Sequence, residues 1–312
     1  MILITGAGLV GLNTAKYLLD QGQKVLLVRR RPFEAPSFLA PYVDKEAKAA
    51  QGDITELPFL YRLLREYNVQ SIIHAAVLNE RKNANLYQSI KVNISGTAEI
   101  LEAARILGIQ RVTCISSLAV YNQTAKVDAL QEDMDLPAEA SEWVAGTKKA
   151  MEQVCQLYAH AHDLSVPVVR PAAVWGPLYW TGARPINLMV DAAIAGKPLD
   201  LSHLCALTRS NHTYVRDIAK AIGMVHLAPS LNHSIYNAAY GKLYSYGDFV
   251  KAIKEVIPGT QIKLGTTRSE NDVDQTIASI DRVKEDVGFL PDYDIKKGVK
   301  AYIEWVRDGK YN

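Results

Sequence analysis

Short apolar runs alternate with longer amphipathic stretches through the first half of the chain. Residues 2–5, 24–28, 71–74, 111–115 and 167–169 are compact, rich in β-branched side chains and almost continuously apolar. Runs of that kind predict strands covered on both faces, as in a parallel sheet. Between them, residues 9–20, 57–67, 92–107 and 147–162 repeat their apolar positions at helical spacing. Strand and helix in strict succession predict βαβ units, and hence an α/β fold with a doubly wound parallel sheet.

The texture changes after Arg170, where Pro171, Pro177, Gly182, Pro185, Gly196 and Pro198 punctuate shorter segments. The pattern predicts a sheet domain over residues 1–171 with a return segment near 213–240. Residues 172–212 and 241–312 then form a smaller α/β C-terminal substrate lobe, packed tightly because no low-complexity linker separates the halves. A length of 312 residues with 48% hydrophobic and 22% charged positions suits such a chain.

Charge adds an exclusion: 35 Lys and Arg against 33 Asp and Glu leave a net +2, too little basic excess for a nucleic-acid partner. Apolar runs stay short of the roughly 18 residues that span a bilayer, so no membrane partner is expected. Cys114, Cys155 and Cys205 are few, scattered and odd in number, which argues against a disulfide frame and against zinc. No other His, Cys, Asp and Glu set has metal-ligand spacing, so no metal is expected. The first residues read as strand and turn, not as a secretory signal, and the expected compartment is the cytoplasm.

The first strand runs directly into Gly6-Ala7-Gly8-Leu9-Val10-Gly11 and then into a helix. In that context the glycines have separate tasks: Gly6 for a tight turn, Gly8 for the close approach of a pyrophosphate, Gly11 for helix-to-strand packing. The anion sits on free N–H groups at the positive end of the helix. This is the Rossmann-type arrangement for a dinucleotide; the bland counterpart is a glycine turn used for packing alone. Arg29-Arg30-Arg31 closes the second strand where an acidic residue would select NAD. Guanidinium pairs with a 2′-phosphate, so NADP is the favoured cofactor and NAD the alternative. A solvated basic turn is the competing reading of those arginines.

With these residues in place the chain resembles the extended short-chain dehydrogenase/reductases of the epimerase/dehydratase type, over nearly its whole length. Gly52-Asp53-Ile54 matches the adenine-contacting acid of that family, and Ile73-His74-Ala75-Ala76 the strand end that lies along the cofactor. Val92-Asn93-Ile94-Ser95-Gly96-Thr97 matches its Asn-Val-x-Gly-Thr segment, and Ile115-Ser116-Ser117-Leu118-Ala119-Val120-Tyr121 its serine-bearing strand end. Arg170-Pro171-Ala172-Ala173-Val174-Trp175-Gly176-Pro177 matches Arg-Pro-x-Asn-Val-Tyr-Gly-Pro, and Tyr214-Val215-Arg216-Asp217 a later signpost.

The resemblance implies cofactor contacts from Gly6, Gly8, Leu9, Val10, Gly11, Arg29, Arg30, Asp53, Ile54, Ala75, Ala76, Val77, Asn93, Ser116, Lys148, Pro171 and Val174. It implies catalytic roles for Ser117 and Lys148 and substrate contacts from Leu78, Tyr121, Trp175 and Arg209. It further implies a homodimer through the helices at 92–107 and 147–162.

Departures from the family pattern bear on the chemistry. The tyrosine of Tyr-x-x-x-Lys falls on Val144 when the segment is aligned through Lys148 and Glu152, and valine transfers no proton. Ala173 stands where the family has asparagine, and Arg209 lies one position away from the arginine that clamps a nucleotide diphosphate. Tyr121, Tyr87, Tyr179 and Glu142 are the candidate substitute acids. Trp143, Trp175, Tyr179 and Trp180 read either as an aromatic substrate wall or as core, and His74 as a satisfied core histidine.

Two functions follow. One is an NAD(P)-dependent oxidoreductase or epimerase/dehydratase-like enzyme acting on a small hydroxy, keto or sugar-type molecule with an atypical active site. The other is a catalytically inactive cofactor-binding sensor or scaffold of the same fold.

Overall fold

A computed structural model of the chain describes residues 1–32, 36–78, 85–122, 124, 127–140, 142–178, 184–270 and 272–309. Seven parallel strands form the main sheet: β1 (Ile2–Thr5), β2 (Val25–Arg29), β3 (Ala47–Gln51), β4 (Ser71–His74), β5 (Val112–Ile115), β6 (Val168–Pro171) and β7 (Ile235–Ala238). Their order across the sheet is β7-β6-β5-β4-β1-β2-β3, reversing beside β1. Ligands of such sheets bind outside the carboxyl ends of the strands at that reversal. In register, Thr5 lies opposite Val28 on one side and His74 on the other, so three strand ends meet at one level.

The helices are α1 (Leu9–Asp20), α2 (Leu57–Glu66), α3 (Leu86–Ile90), α4 (Gly96–Ile106), α5 (Trp143–Ala161), α6 (Pro185–Ile194), α7 (Val215–Leu227), α8 (Tyr246–Val256), α9 (Asp281–Val287) and α10 (Ile295–Arg307). Leu12, Leu18, Ile218 and Ile222 from α1 and α7 close one face of the sheet. Leu60, Leu64, Ile100, Leu101 and Met151 from α2, α4 and α5 close the other. Full burial of each such side chain contributes about 1.5–3 kcal/mol, which is why the strands read as unbroken apolar runs. A third cluster, around Trp175, Met189, Phe249, Val299 and Tyr302, gathers side chains that follow Arg170 in sequence, with residues 199–205 paired to 262–265 in parallel. Among the described residues no helix is long and apolar enough to cross a membrane.

The expected strands and helices are present with ends shifted by a few residues. β3 and β7 lie outside the predicted strands. β3 is an edge strand of Ala-Lys-Ala-Ala-Gln with only Ala47 buried, so it carries neither β propensity nor an apolar run. The segment predicted as a helix from Val92 starts earlier, at Leu86, and passes through a π-helical turn at Lys91–Ser95 before α4. The helix predicted from Thr147 begins at Trp143.

Candidate active site

Gly6 leaves β1 at φ +82°, and a Cβ there would lie 2.6 Å from the Ala76 Cα. Only glycine turns the chain there against the end of β4. At Gly11 a Cβ would stand 2.1 Å from the Gly6 carbonyl oxygen, so helix and turn touch backbone to backbone. Gly8 differs from both: a Cβ on it would meet nothing within 4 Å. It is also the N-cap of α1, no side chain caps that turn, and the first turn holds no acidic residue. The first turn of α1 is thus left without a side-chain cap beside the open space at Gly8, at the positive end of the helix, which is the requirement for a pyrophosphate.

At the flank of this cradle, Asp53 accepts hydrogen bonds from the Thr55 amide (2.9 Å) and hydroxyl (2.8 Å). Burial would raise its carboxyl, and the Thr55 hydrogen bonds, with Arg30 nearby, hold it below the usual range instead. Ile54 is buried behind it, Arg29 is half-buried, and Arg30 is exposed with its carbonyl accepting from Gln51.

The strip Ala75-Ala76-Val77-Leu78 continues β4 along the same edge, tied down from below. The Ala75 amide donates to the Thr5 carbonyl (3.1 Å) and the Ala76 amide to the Thr5 hydroxyl (3.3 Å). The Thr97 hydroxyl gives its proton to the Asn93 carbonyl (2.8 Å), so it accepts from His74 Nε2 (3.0 Å). That leaves Nδ1 of His74 to accept from the Thr5 hydroxyl (2.8 Å). His74 is a satisfied core histidine, pushed down to about 3 by burial and then by Lys148, and it is no general base at neutral pH.

Asn93 belongs to the same scaffold. Its Oδ1 accepts from the Leu78 amide (2.8 Å), and its Nδ2 donates to the Leu78 carbonyl and the Thr147 hydroxyl, both at 3.3 Å. Those hydrogen bonds make Asn93 a brace of the strip. The π-helical turn points the amide at Leu78, and π-helical turns often mark functional sites. Leu78 likewise has both backbone groups spent on Asn93.

At the end of β5, Ser117 is half-buried and its Oγ accepts from the Ala119 amide (3.2 Å), which leaves its hydroxyl proton to offer elsewhere. Lys148 is buried on α5, and its Nζ donates to the Ile115 carbonyl (2.6 Å). Burial pulls this amine down to about 8. Val144, one turn earlier on α5, is half-buried hydrocarbon. Ser117 and the Ile115 carbonyl that Lys148 holds thus lie at the same strand end, that of β5, with the cradle two strands away across β4.

Three side chains expected at the site are buried against protein partners. Ser116 turns its hydroxyl onto Glu152, away from the cleft. The Tyr121 ring is in the core, where its hydroxyl accepts from Arg170 (2.6 Å) and faces the Gln131 carbonyl and Asn237 Oδ1, each at 3.0 Å. Neither a substrate contact nor a substitute acid can be made from a phenol so engaged. Trp175 packs against Tyr214 and Phe249 in the second core, so it is not part of a substrate wall.

Arg209 is exposed and paired with Asp274 (2.8 Å), which also takes Arg268 at 2.8 Å. Pro171 is buried at the end of β6 and Val174 is half-buried just beyond it. Tyr87 and Glu142 are exposed, and Tyr179 and Trp180 lie outside the described residues. Sequence reading missed Thr5, Thr97 and Thr147 as the partners that fix the strip. Each is an ordinary threonine, Thr5 brought to its partner by strand register and Thr97 and Thr147 by the positions of α4 and α5 beside the strip.

Over 321 residues the chain is 26% identical to UDP-glucuronate 4-epimerase of Thermodesulfobacterium geofontis (strain OPF15), covering 98% of this chain and 96% of that protein. It is 25% identical over 335 residues to UDP-glucose 4-epimerase of Azospirillum brasilense, covering 98% and 92%. The solved structure of MoeE5 in complex with UDP-glucuronic acid and NAD is similar at a TM-score of 0.82 and 25% identity, covering 99% of each chain. UDP-glucose 4-epimerase from Thermotoga maritima, at a TM-score of 0.83, 20% identity and 99% of each chain, shares the fold. The family model for NAD dependent epimerases and dehydratases matches residues 2–239, and the chain belongs to the NAD dependent epimerase/dehydratase family.

Proposed function

We propose that the chain is an NAD(P)-dependent, epimerase/dehydratase-like enzyme acting on a sugar-type or other hydroxy or keto substrate, with no proton relay at residue 144. The observation that carries the reading is the open space at Gly8 above an uncapped helix start, on the same sheet edge as Ser117 and Lys148. A dinucleotide bound there supplies hydride transfer at a carbinol carbon. The chain's own residues do the rest. Amides of the first turn of α1 hold the pyrophosphate, Lys148 orients the nicotinamide ribose, and the Ser117 hydroxyl donates to the substrate oxygen as charge develops on it.

Tyr121 is engaged in the core and Val144 carries no proton, so the proton passes to and from water or a group of the substrate, with exposed Tyr87 and Glu142 as the remaining side-chain acids among the described residues. The relatives named above act on UDP-sugars, which therefore come first among test substrates. NADP is the expected preference, on the guanidinium groups at the end of β2, and the NAD in MoeE5 makes paired titration of the two dinucleotides the deciding comparison. A homodimer is also proposed, through the face where Leu86, Ile106 and Leu157 are exposed on α3, α4 and α5.

The test is a panel of UDP-sugars, polyols and carbonyl compounds with both dinucleotides. Turnover that disappears in Ser117→Ala while NADH binding persists supports the reading. Val144 favours a second one, the inactive cofactor-binding protein, and firm binding with no turnover across the panel would select it.

A further inference from the structure

Beneath the site lies a charged pair that the chemistry above does not use. Glu152, one turn beyond Lys148 on α5, is buried, and so is Arg170 on β6, each side chain 2% exposed. The guanidinium donates Nε to Oε1 at 3.0 Å and a terminal nitrogen to Oε2 at 2.7 Å. The same Oε1 accepts the hydroxyl of Ser116, the neighbour of Ser117. The other terminal nitrogen of Arg170 donates to the Tyr121 hydroxyl (2.6 Å) and the guanidinium lies over that ring at 4.9 Å. Tyr121 closes the short 3₁₀ turn that Ser117 caps.

The carboxylate therefore reaches the Ser117 turn at both its ends while riding on the helix that carries Lys148. A buried ion pair is a poor source of stability, since a matched apolar pair commonly does as well. What this one specifies is geometry.

We propose that Glu152 and Arg170 are positioning residues that set the register of the Lys148 helix against the Ser117 turn. Resting on the dinucleotide reading, this predicts that the pair governs the nicotinamide end of the cofactor and not the pyrophosphate end. The glycine cradle is two strands away and shares none of these hydrogen bonds.

The experiment compares wild type, the apolar double variant E152M/R170M and the conservative R170K by melting temperature and by titration with NADH and with ADP, which lacks the nicotinamide half. The expected result is an ADP affinity within about twofold of wild type. NADH should bind about tenfold more weakly to E152M/R170M, the loss of about one hydrogen bond to Lys148, with R170K between it and wild type. Equal NADH affinity in all three proteins overturns the proposal. So does a parallel loss of ADP and NADH with a fallen melting temperature, which marks a purely structural pair. If the double variant does not fold, R170K decides by the same ratio. Wild type that binds neither ligand would instead remove the dinucleotide reading itself.

Discussion

Gly8→Ala separates a nucleotide turn from a packing turn more cleanly than any other substitution. The backbone at Gly8 is extended, φ −105° and ψ −163°, which alanine adopts freely, and its Cβ would meet no atom within 4 Å. Alanine is a somewhat poorer N-cap than glycine, but it also lowers the entropy of the unfolded chain by about 0.4–1 kcal/mol. These effects nearly cancel, so the melting temperature should stay within about 3 °C of wild type. A pyrophosphate displaced from one first-turn amide loses a charge-assisted hydrogen bond of about 1.5–3 kcal/mol, or about 10–100-fold in affinity. Gly11→Ala is the contrast: its Cβ is driven to 2.1 Å from the Gly6 carbonyl oxygen, and it should unfold several degrees earlier. Thermal melts beside NADH fluorescence titrations read both quantities. Wild-type NADH affinity in a normally folded Gly8→Ala protein would refute the assignment of the cradle.

Other consequences follow from groups already described. His74 and His226 are pushed down by burial to about 3 and His212 to about 4, from an ordinary 6.5. Their stabilisation is complete above pH 6.5 and is lost as pH falls through 6.5 toward 4, because the unfolded chain takes up the protons first. Asp217, raised by burial to about 6, acts in the opposite sense over part of that window. Glu132 and Asp191, also raised by burial, offset the histidines in the same sense as Asp217, and the three histidines set the net direction, a loss of stability between pH 7 and pH 5 readable by urea denaturation at each pH; a flat profile would contradict the buried neutral histidines. Val144→Tyr should raise turnover less than about threefold if water or substrate carries the proton, and a larger gain in steady-state rate would show that the native route had lacked only a phenol. Leu157→Glu should convert a dimer into monomers in light scattering with the fold retained, and a wild-type protein that is already monomeric removes the proposed interface.

The sheet was legible because its central strands are buried on both faces, so their apolar runs needed no partner to be recognised. β3 was not, since an alanine-rich edge strand with one buried side chain leaves no trace in hydropathy. The glycine turn could be read down to the task of each glycine, because each task depends on a Cβ that is absent. Lys148 and Ser117 were found by spacing within a known motif. The partners of Tyr121 and Ser116 were not legible, because nothing local shows that Arg170 and Glu152 would claim their hydroxyls. The hydrogen bonds of Asn93 to Leu78 were equally hidden, since they join residues 15 apart across a π-helical turn that helical periodicity does not announce. Side chains are legible when their role is set by neighbours in sequence, and opaque when a partner many residues away decides which way they face.

The central claim is that this chain retains dinucleotide chemistry without a phenol at residue 144. Its most direct test is to load the protein with the tighter-binding of NAD and NADP, add UDP-glucuronate or UDP-glucose, and record the near-ultraviolet absorbance of reduced nicotinamide. The account predicts that this absorbance appears in wild type and is lost in Ser117→Ala, with dinucleotide binding unchanged between the two. A protein that holds the dinucleotide firmly yet never reduces it with any sugar, polyol or carbonyl compound supplied would contradict it.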